Sequence, residues 1–323
     1  MKIKMILAFG AIYFIWGSTY LAIRFAIETI PPFLMMGCRM LLAGSILYVW
    51  ARLRGEKCPH LTQWLIAASV GMLLFFAGHG SLAWSGQVVP SGVAALSVAT
   101  APLWMILLQA FQNPHSTMNV RVAIGIVAGL GGVYLMVKPS ELLSGSPVNP
   151  VGAVVLLFGT LSWSAGSVYS KSANLPKSSM LASGMSLLCG GGGLLLLSLL
   201  SRERMDLTSV SFRSLASLLY LAAFGSIIAF SAYFWLLRKT SPVRVSTYAY
   251  VNPVIAIFLG WFAGGESLSP RIITAMLLMV IGVAAIVTQN STYFSSAEKS
   301  DSTKETRKRA FLKGESAQHK EAI

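Results

Sequence analysis

The chain has 323 residues, 55% of them hydrophobic and only 11% charged. A soluble domain carries roughly 25% charged residues, so a soluble globular class is excluded, and recurrent apolar stretches long enough to cross a bilayer point to an integral membrane protein. The net charge of +14 does not mark a nucleic-acid binder, because the basic residues gather in short connections and in the tail, as the positive-inside bias predicts, and form no basic face with interleaved aromatics.

In chain order, apolar spans are predicted at about 5–27, 32–51, 62–84, 88–111, 120–137, 151–172, 180–200, 215–237, 243–264 and 272–288. The first could be a signal peptide by itself. Its later counterpart, and Trp16, Tyr20 and Arg24 in its second half, favour a retained span. Pro31 and Pro32 separate the first two spans, and Arg52, Arg54 and Lys57 follow the second as the first strong cytoplasmic marker. Residues 138–150 form a polar connector with Pro139, Gly145, Pro147 and Pro150. Residues 289–323 are rich in Ser, Lys and Glu, which predicts a disordered tail. Ten spans put both termini on one side, and the loop charges make that side cytoplasmic.

Two halves of this chain correspond. At a spacing of 147 residues Trp16 meets Trp163, Arg24 meets Lys171, Gly37 meets Gly184 and Gly44 meets Gly191. At 151 residues Trp84 meets Trp235, Pro102 meets Pro253 and Gly131 meets Gly282. The expected fold class is therefore all-α integral membrane, with ten transmembrane helices as two five-helix repeats over 1–137 and 151–288. Five is odd, so the second repeat enters the membrane from the opposite side and the topology is inverted, as in many secondary transporters. The competing reading is that apolar helices resemble one another generally.

The stretches IWGSTYLAIR (15–24), PPFLMMGCRMLLAG (31–44), FGSIIAF (224–230) and TYAYVNPVIAIFLGWFAGGESLS (247–269) resemble the EamA-type members of the drug/metabolite transporter superfamily, and within it the YedA-like group of bacterial inner-membrane proteins described as exporters. The resemblance covers about 5–288. It implies ten helices in two repeats around a substrate cavity, surrounded largely by the third, fourth, eighth and ninth spans and opening alternately to each side. One departure stands out: Glu266 of the second half is matched by His115 or its neighbours in the first, which removes a symmetric carboxylate pair.

Pro102 and Pro253 are hinge candidates. A proline inside a helix removes one backbone donor and frees the carbonyl four residues earlier, at Val98 and Ala249; a static kink tolerated by packing is the alternative. Ser97, Thr100 and Trp104 share one helical face of the fourth span. Ser246 or Thr247 with Tyr250, and Tyr248 with Asn252, share faces of the ninth. Of these, Ser97, Thr100, Trp104, Tyr248, Tyr250 and Asn252 are candidates to line the cavity, with interhelical hydrogen bonding as the alternative. His79 lies inside the third span, where it could bind substrate, exchange a proton or donate to a neighbouring helix. Arg39 lies too deep to snorkel easily, so it must pair, face water or face the cavity. Lys171 is placed to snorkel, and Arg24 to pair with Glu28. The glycine pairs Gly125/Gly129 and Gly260/Gly264, and the run 190–193, suit close helix packing.

No acidic residue lies inside a predicted span. No HExxH, GxSxG or intramembrane carboxylate pair suggests an enzyme, and Cys38, Cys58 and Cys189 show no metal-ligand spacing. No cofactor, metal or nucleic-acid partner is expected. The sequence points to a multi-pass protein of the bacterial inner membrane that exports small amphipathic metabolites, amino acids or drug-like compounds by alternating access. Its partners would be a small-molecule substrate and the lipid bilayer, with coupling ion and oligomeric state open. The alternative is a non-transporting sensor or scaffold acting through its basic C-terminal tail.

Overall fold

The computed structural model describes residues 2–85, 87–89, 94, 97–112, 120–136, 149–206, 208–264 and 270–287. His115, Glu266, most of the 138–150 connector and the tail lie outside these residues. Met1–Val287 is one compact unit, and all regular structure among its described residues is helical. The elements are α1 (Lys2–Ala26), α2 (Pro32–Leu53), α3 (Leu61–Ser85), α4 (Ala101–Gln112), α5 (Val120–Met136), α6 (Pro150–Ser172), α7 (Ser179–Leu200), α8 (Phe212–Lys239), α9 (Pro242–Val245), α10 (Tyr248–Gly264) and α11 (Pro270–Val287).

Six helices are long and apolar enough to cross a membrane, within α1, α2, α3, α6, α7 and α8. The sequence predicts ten such spans. Three shorter apolar helices lie at Ser97–Phe111, Val120–Leu135 and Pro270–Ile286. The ninth expected span, 243–264, is divided: α9 ends at a turn through Ser246 and Thr247, and the 17-residue α10 starts at Tyr248. At 1.5 Å per residue, α10 is about 26 Å long, close to the hydrocarbon thickness.

The turn before α10 is held by side chains. Ser246 Oγ donates to Val243 O at 2.8 Å and Thr247 Oγ1 to Arg244 O at 2.7 Å. Tyr13 Oη lies 2.6 Å from Thr247 Oγ1 and ties the turn to α1. A second break falls at Thr100, so Pro102 stands in the first turn of α4 and not in mid-helix. A proline is tolerated there because the first-turn N–H groups have no intrahelical acceptor. Pro253, by contrast, is inside α10.

Glycine seams set the packing. The most extensive helix pairs are α2 with α7 and α5 with α11. A Cβ on Gly44 would lie 3.0 Å from Gly184 O, and one on Gly191 3.3 Å from Gly37 O. On α3, a Cβ at Gly71 would stand 2.3 Å from Ser186 O, and on α7 one at Gly190 would stand 2.5 Å from Gly71 O. Gly125 and Gly129 of α5 meet Gly282 of α11 in the same way. Without a hydrophobic drive between helices in lipid, such backbone approach is what gives van der Waals association. The outward faces stay apolar: Leu53 is 82%, Phe111 84% and Leu199 75% exposed.

Beyond the helix ends, charges cap the fold. Glu203 accepts from the Phe33 and Leu34 N–H groups at 3.1 and 2.8 Å, a carboxylate at the positive N-terminus of α2. Arg202, just before it, adopts the left-handed conformation with φ of 54° that ends α7. Glu28, in the turn after α1, pairs with Arg213 at 2.5 Å; the side chain of Arg24, the partner suggested by the sequence, lies outside the described residues. A partner on α8 is reached only through the tertiary fold. Lys171 Nζ donates to Thr240 O at 2.9 Å.

Two measurements test this packing. Gly190→Ala should lower the unfolding midpoint in detergent, since overpacking costs about 1–3 kcal/mol or more against backbone. Gly192→Ala, which meets nothing within 4 Å, should leave the midpoint unchanged or raise it. Glu203→Ala should destabilise by about 1 kcal/mol, the usual cost of losing an N-terminal cap.

Candidate functional site: a cavity behind two π-helical turns

Helices α3 and α8 each carry a π-helical segment, Met72–His79 and Leu221–Ile228. A π turn leaves backbone oxygens open to side-chain donors, and such turns concentrate at functional sites. Both segments draw in side-chain donors, from neighbouring helices and, for the first, also from its own His79. Leu73 O accepts from Ser162 Oγ at 2.9 Å, and Leu74 O lies 3.3 Å from His79 Nδ1. Gly225 O accepts from Trp16 Nε1 at 3.2 Å, and Ser226 Oγ accepts from Arg39 Nε at 3.1 Å. Hydrocarbon offers no alternative partners, so the bonds to Leu73 O, Leu74 O and Gly225 O make the irregular backbone tolerable, while the Arg39–Ser226 bond joins two side chains.

Beside the first segment, which contributes Gly78 and His79 to its wall, lies a cavity of about 100 Å³, enough for several waters or a small organic group. Its walls combine Trp16, Trp163 and Tyr248 with Thr19, Thr160 and Asn252, and with Arg39 and His79; small or apolar positions such as Gly78, Gly159, Leu82 and Leu156 complete it. The aromatic rings are locked against each other. Trp16 meets Trp163 edge-on at 6.0 Å and Tyr248 at 4.8 Å, while Phe230 and Tyr233 pack behind them. His79 lies 5.1 Å from Trp163 and 5.8 Å from Phe230, centroid to centroid.

Arg39 is only 2% exposed. Besides Ser226, its protein contact is a weak one from Nη1 to Met36 Sδ at 3.8 Å. No acidic side chain among the described residues pairs with it. The walls thus hold one permanent positive charge, since a guanidinium does not deprotonate in proteins.

Of the residues singled out in the sequence, Arg39, His79, Tyr248 and Asn252 line this cavity. In its satisfied orientation Asn252 donates to Tyr248 O at 3.1 Å and Tyr13 O at 3.2 Å, joining α10 to α1. Ser97, Thr100 and Trp104 do not line the cavity. Thr100 Oγ1 donates to Ser97 O at 2.6 Å and accepts from Trp104 Nε1 at 3.0 Å, around the break before α4. Their neighbours Val98 and Ala101 are the lining residues. Tyr250 also faces elsewhere: its ring fills the space over Gly129, and its buried hydroxyl has no partner among the described residues. Pro102 and Pro253 do not line the cavity. Reading the chain for polar faces missed Trp16, Thr19, Thr160 and Trp163. The signal that could have found two of them was the Trp16–Trp163 match between the halves.

Replacing the serine that holds Arg39 separates structure from bystanders. Ser226→Ala should lower the unfolding midpoint, as a hydrogen bond to a charged group contributes about 1.5–3 kcal/mol. Ser183→Ala removes a buried hydroxyl without a partner and should be neutral or stabilising.

The comparisons agree with one another. The model of the EamA-like transporter family matches twice, over residues 3–138 and 150–288. The protein named as the uncharacterized inner membrane transporter YedA of Escherichia coli strain K12 is 40% identical over 281 residues, covering 86% of this chain and 89% of its own length. Protein PecM of Dickeya dadantii is 30% identical, covering 88% and 92%. A solved crystal structure superposes with a TM-score of 0.71 at 21% identity, over 88% of this chain and 97% of that one, and so shares the fold. The chain belongs to the EamA-like transporter family of the drug/metabolite transporter superfamily and is a multi-pass membrane transporter close in kind to YedA.

Proposed function

We propose that the protein is a secondary transporter of the bacterial inner membrane that exports small amphipathic metabolites, amino acids or drug-like compounds by alternating access through the cavity at Arg39 and His79. The observation that carries this reading is the cavity itself: aromatic walls with a few convergent polar groups, the character of small-molecule sites, set between helices that are irregular at its edge. The inner-membrane assignment draws on the name of the YedA relative, and the loop charges favour cytoplasmic termini.

Alternating access needs two arrangements of the same parts, and an inverted repeat supplies them. Several contacts support that symmetry. Exchanging the halves at a spacing of 147 turns the Gly44–Gly184 approach into the Gly191–Gly37 approach. The Trp16–Trp163 contact maps onto itself at the same spacing, and the His79–Phe230 contact does so at 151. The two family matches, 3–138 and 150–288, divide the chain at the expected connector. Asn252, Tyr248 and Arg39 would orient the substrate; the rings would exclude water from it. Pro253, with no N–H to give inside α10, remains the hinge candidate, and the turn at Ser246 and Thr247 is a second flexure beside it.

Purified protein in proteoliposomes should move members of an amino-acid, aromatic-amine and nucleobase panel faster than empty vesicles; movement of none would sink the reading. Ile23→Trp, which narrows the cavity, should reduce that flux to background with an unchanged elution profile. Pro253→Ala should slow turnover more than it lowers folded yield, whereas unchanged turnover would assign Pro253 to packing.

A further inference from the structure

The charge balance of the cavity restricts what it can hold. Arg39 is buried, lines the cavity, and uses Nε on Ser226 and one Nη1 hydrogen on Met36. A guanidinium has five N–H donors, so the other three have no protein acceptor among the described residues. None of the lining residues is acidic. A buried cation without a counter-charge is strongly disfavoured in the membrane interior, and it repels a second cation brought beside it. Planar guanidinium groups match carboxylates in a bidentate geometry.

We infer that the cavity recognises a monoanionic carboxylate carried on a small aromatic or apolar body, with Arg39 as its recognition residue. This rests on the transport reading of the same cavity and narrows its substrate class. One carboxylate neutralises the single guanidinium; a phosphate dianion would leave an excess negative charge between apolar walls. Ser226 fixes Nε, which holds the plane of the guanidinium and leaves the Nη edge for the ligand. Trp16, Trp163 and Tyr248 supply the apolar contact, and Asn252 and Thr160 also line the cavity, available to a further polar substituent. Simple amines are excluded by the same charge.

The test is direct binding to the purified full chain in nanodiscs, by calorimetry, with three probes of matched shape: phenylacetate, 2-phenylacetamide and phenethylamine. Phenylacetate should bind at least about tenfold tighter than the amide, in line with a charge-assisted pair, and phenethylamine should be the weakest. Arg39→Gln should erase the preference for the acid, while Arg39→Lys keeps part of it. Equal binding of acid and amide, tighter binding of the amine, no binding of the acid, or a preference that survives Arg39→Gln would each overturn the inference. If Arg39→Gln does not fold, the order of the three probes on the unaltered protein still decides. Selective acid binding without flux in proteoliposomes would retain this inference and remove the transport reading. Flux of amines or neutral compounds without any acid preference would do the reverse.

Discussion

Everything near the centre of this protein follows from one constraint: inside a bilayer no water is at hand for a polar group, so each must find its partner within the chain. Regular helices meet that demand alone. The two π segments do not, and side-chain donors reach their open oxygens: Ser162 and His79 for one, Trp16 for the other, whose Ser226 hydroxyl in turn accepts from Arg39. Those donors also line the cavity or lie next to it. Trp16 and His79 thus serve twice, satisfying irregular backbone and forming the cavity wall.

Close packing makes that arrangement rigid enough to matter. Gly71 and Gly190 bring α3 and α7 into backbone contact, and the Gly37–Gly191 and Gly44–Gly184 approaches do the same for α2 and α7. Arg39 lies on α2 between the latter two positions, so the seam fixes the height of its guanidinium relative to Ser226. Gly125, Gly129 and Gly282 fasten α5 to α11 by the same means, and Tyr250 is drawn into that seam, away from the cavity. The interior is thus divided between glycine-lined seams, where backbones touch, and an aromatic centre, where rings hold space open.

Much of this was legible in the residues. Composition and apolar runs required a membrane-spanning helical protein, and motif stretches such as IWGSTYLAIR pointed to the family that the comparisons show. Arg39 stood out because a cation deep in an apolar run is expensive, and His79 because a titratable ring there is rare. Tyr248 and Asn252 were found by helical periodicity. The same periodicity also selected Tyr250, Ser97, Thr100 and Trp104, which the fold directs elsewhere: a polar face marks a contact with something other than lipid, and a neighbouring helix satisfies it as well as a cavity does.

What the sequence by itself determined is the class of environment at each position, because transfer from water to lipid is a property of the residue and its neighbours in the chain. What only the tertiary structure decided is which polar groups meet. Arg39 reaches Ser226 across 187 residues and Glu28 reaches Arg213 across 185; Trp16 and Trp163 meet edge-on in the cavity wall. Nor does apolar periodicity announce a π turn, since one additional residue per turn rotates the following side chains without changing their hydrophobicity. His79 in the cavity wall and Ser226 beneath Arg39 both sit in those turns, and the physical reason is geometric: the angle a side chain takes is set by how its own helix is wound and by what its neighbours leave unfilled.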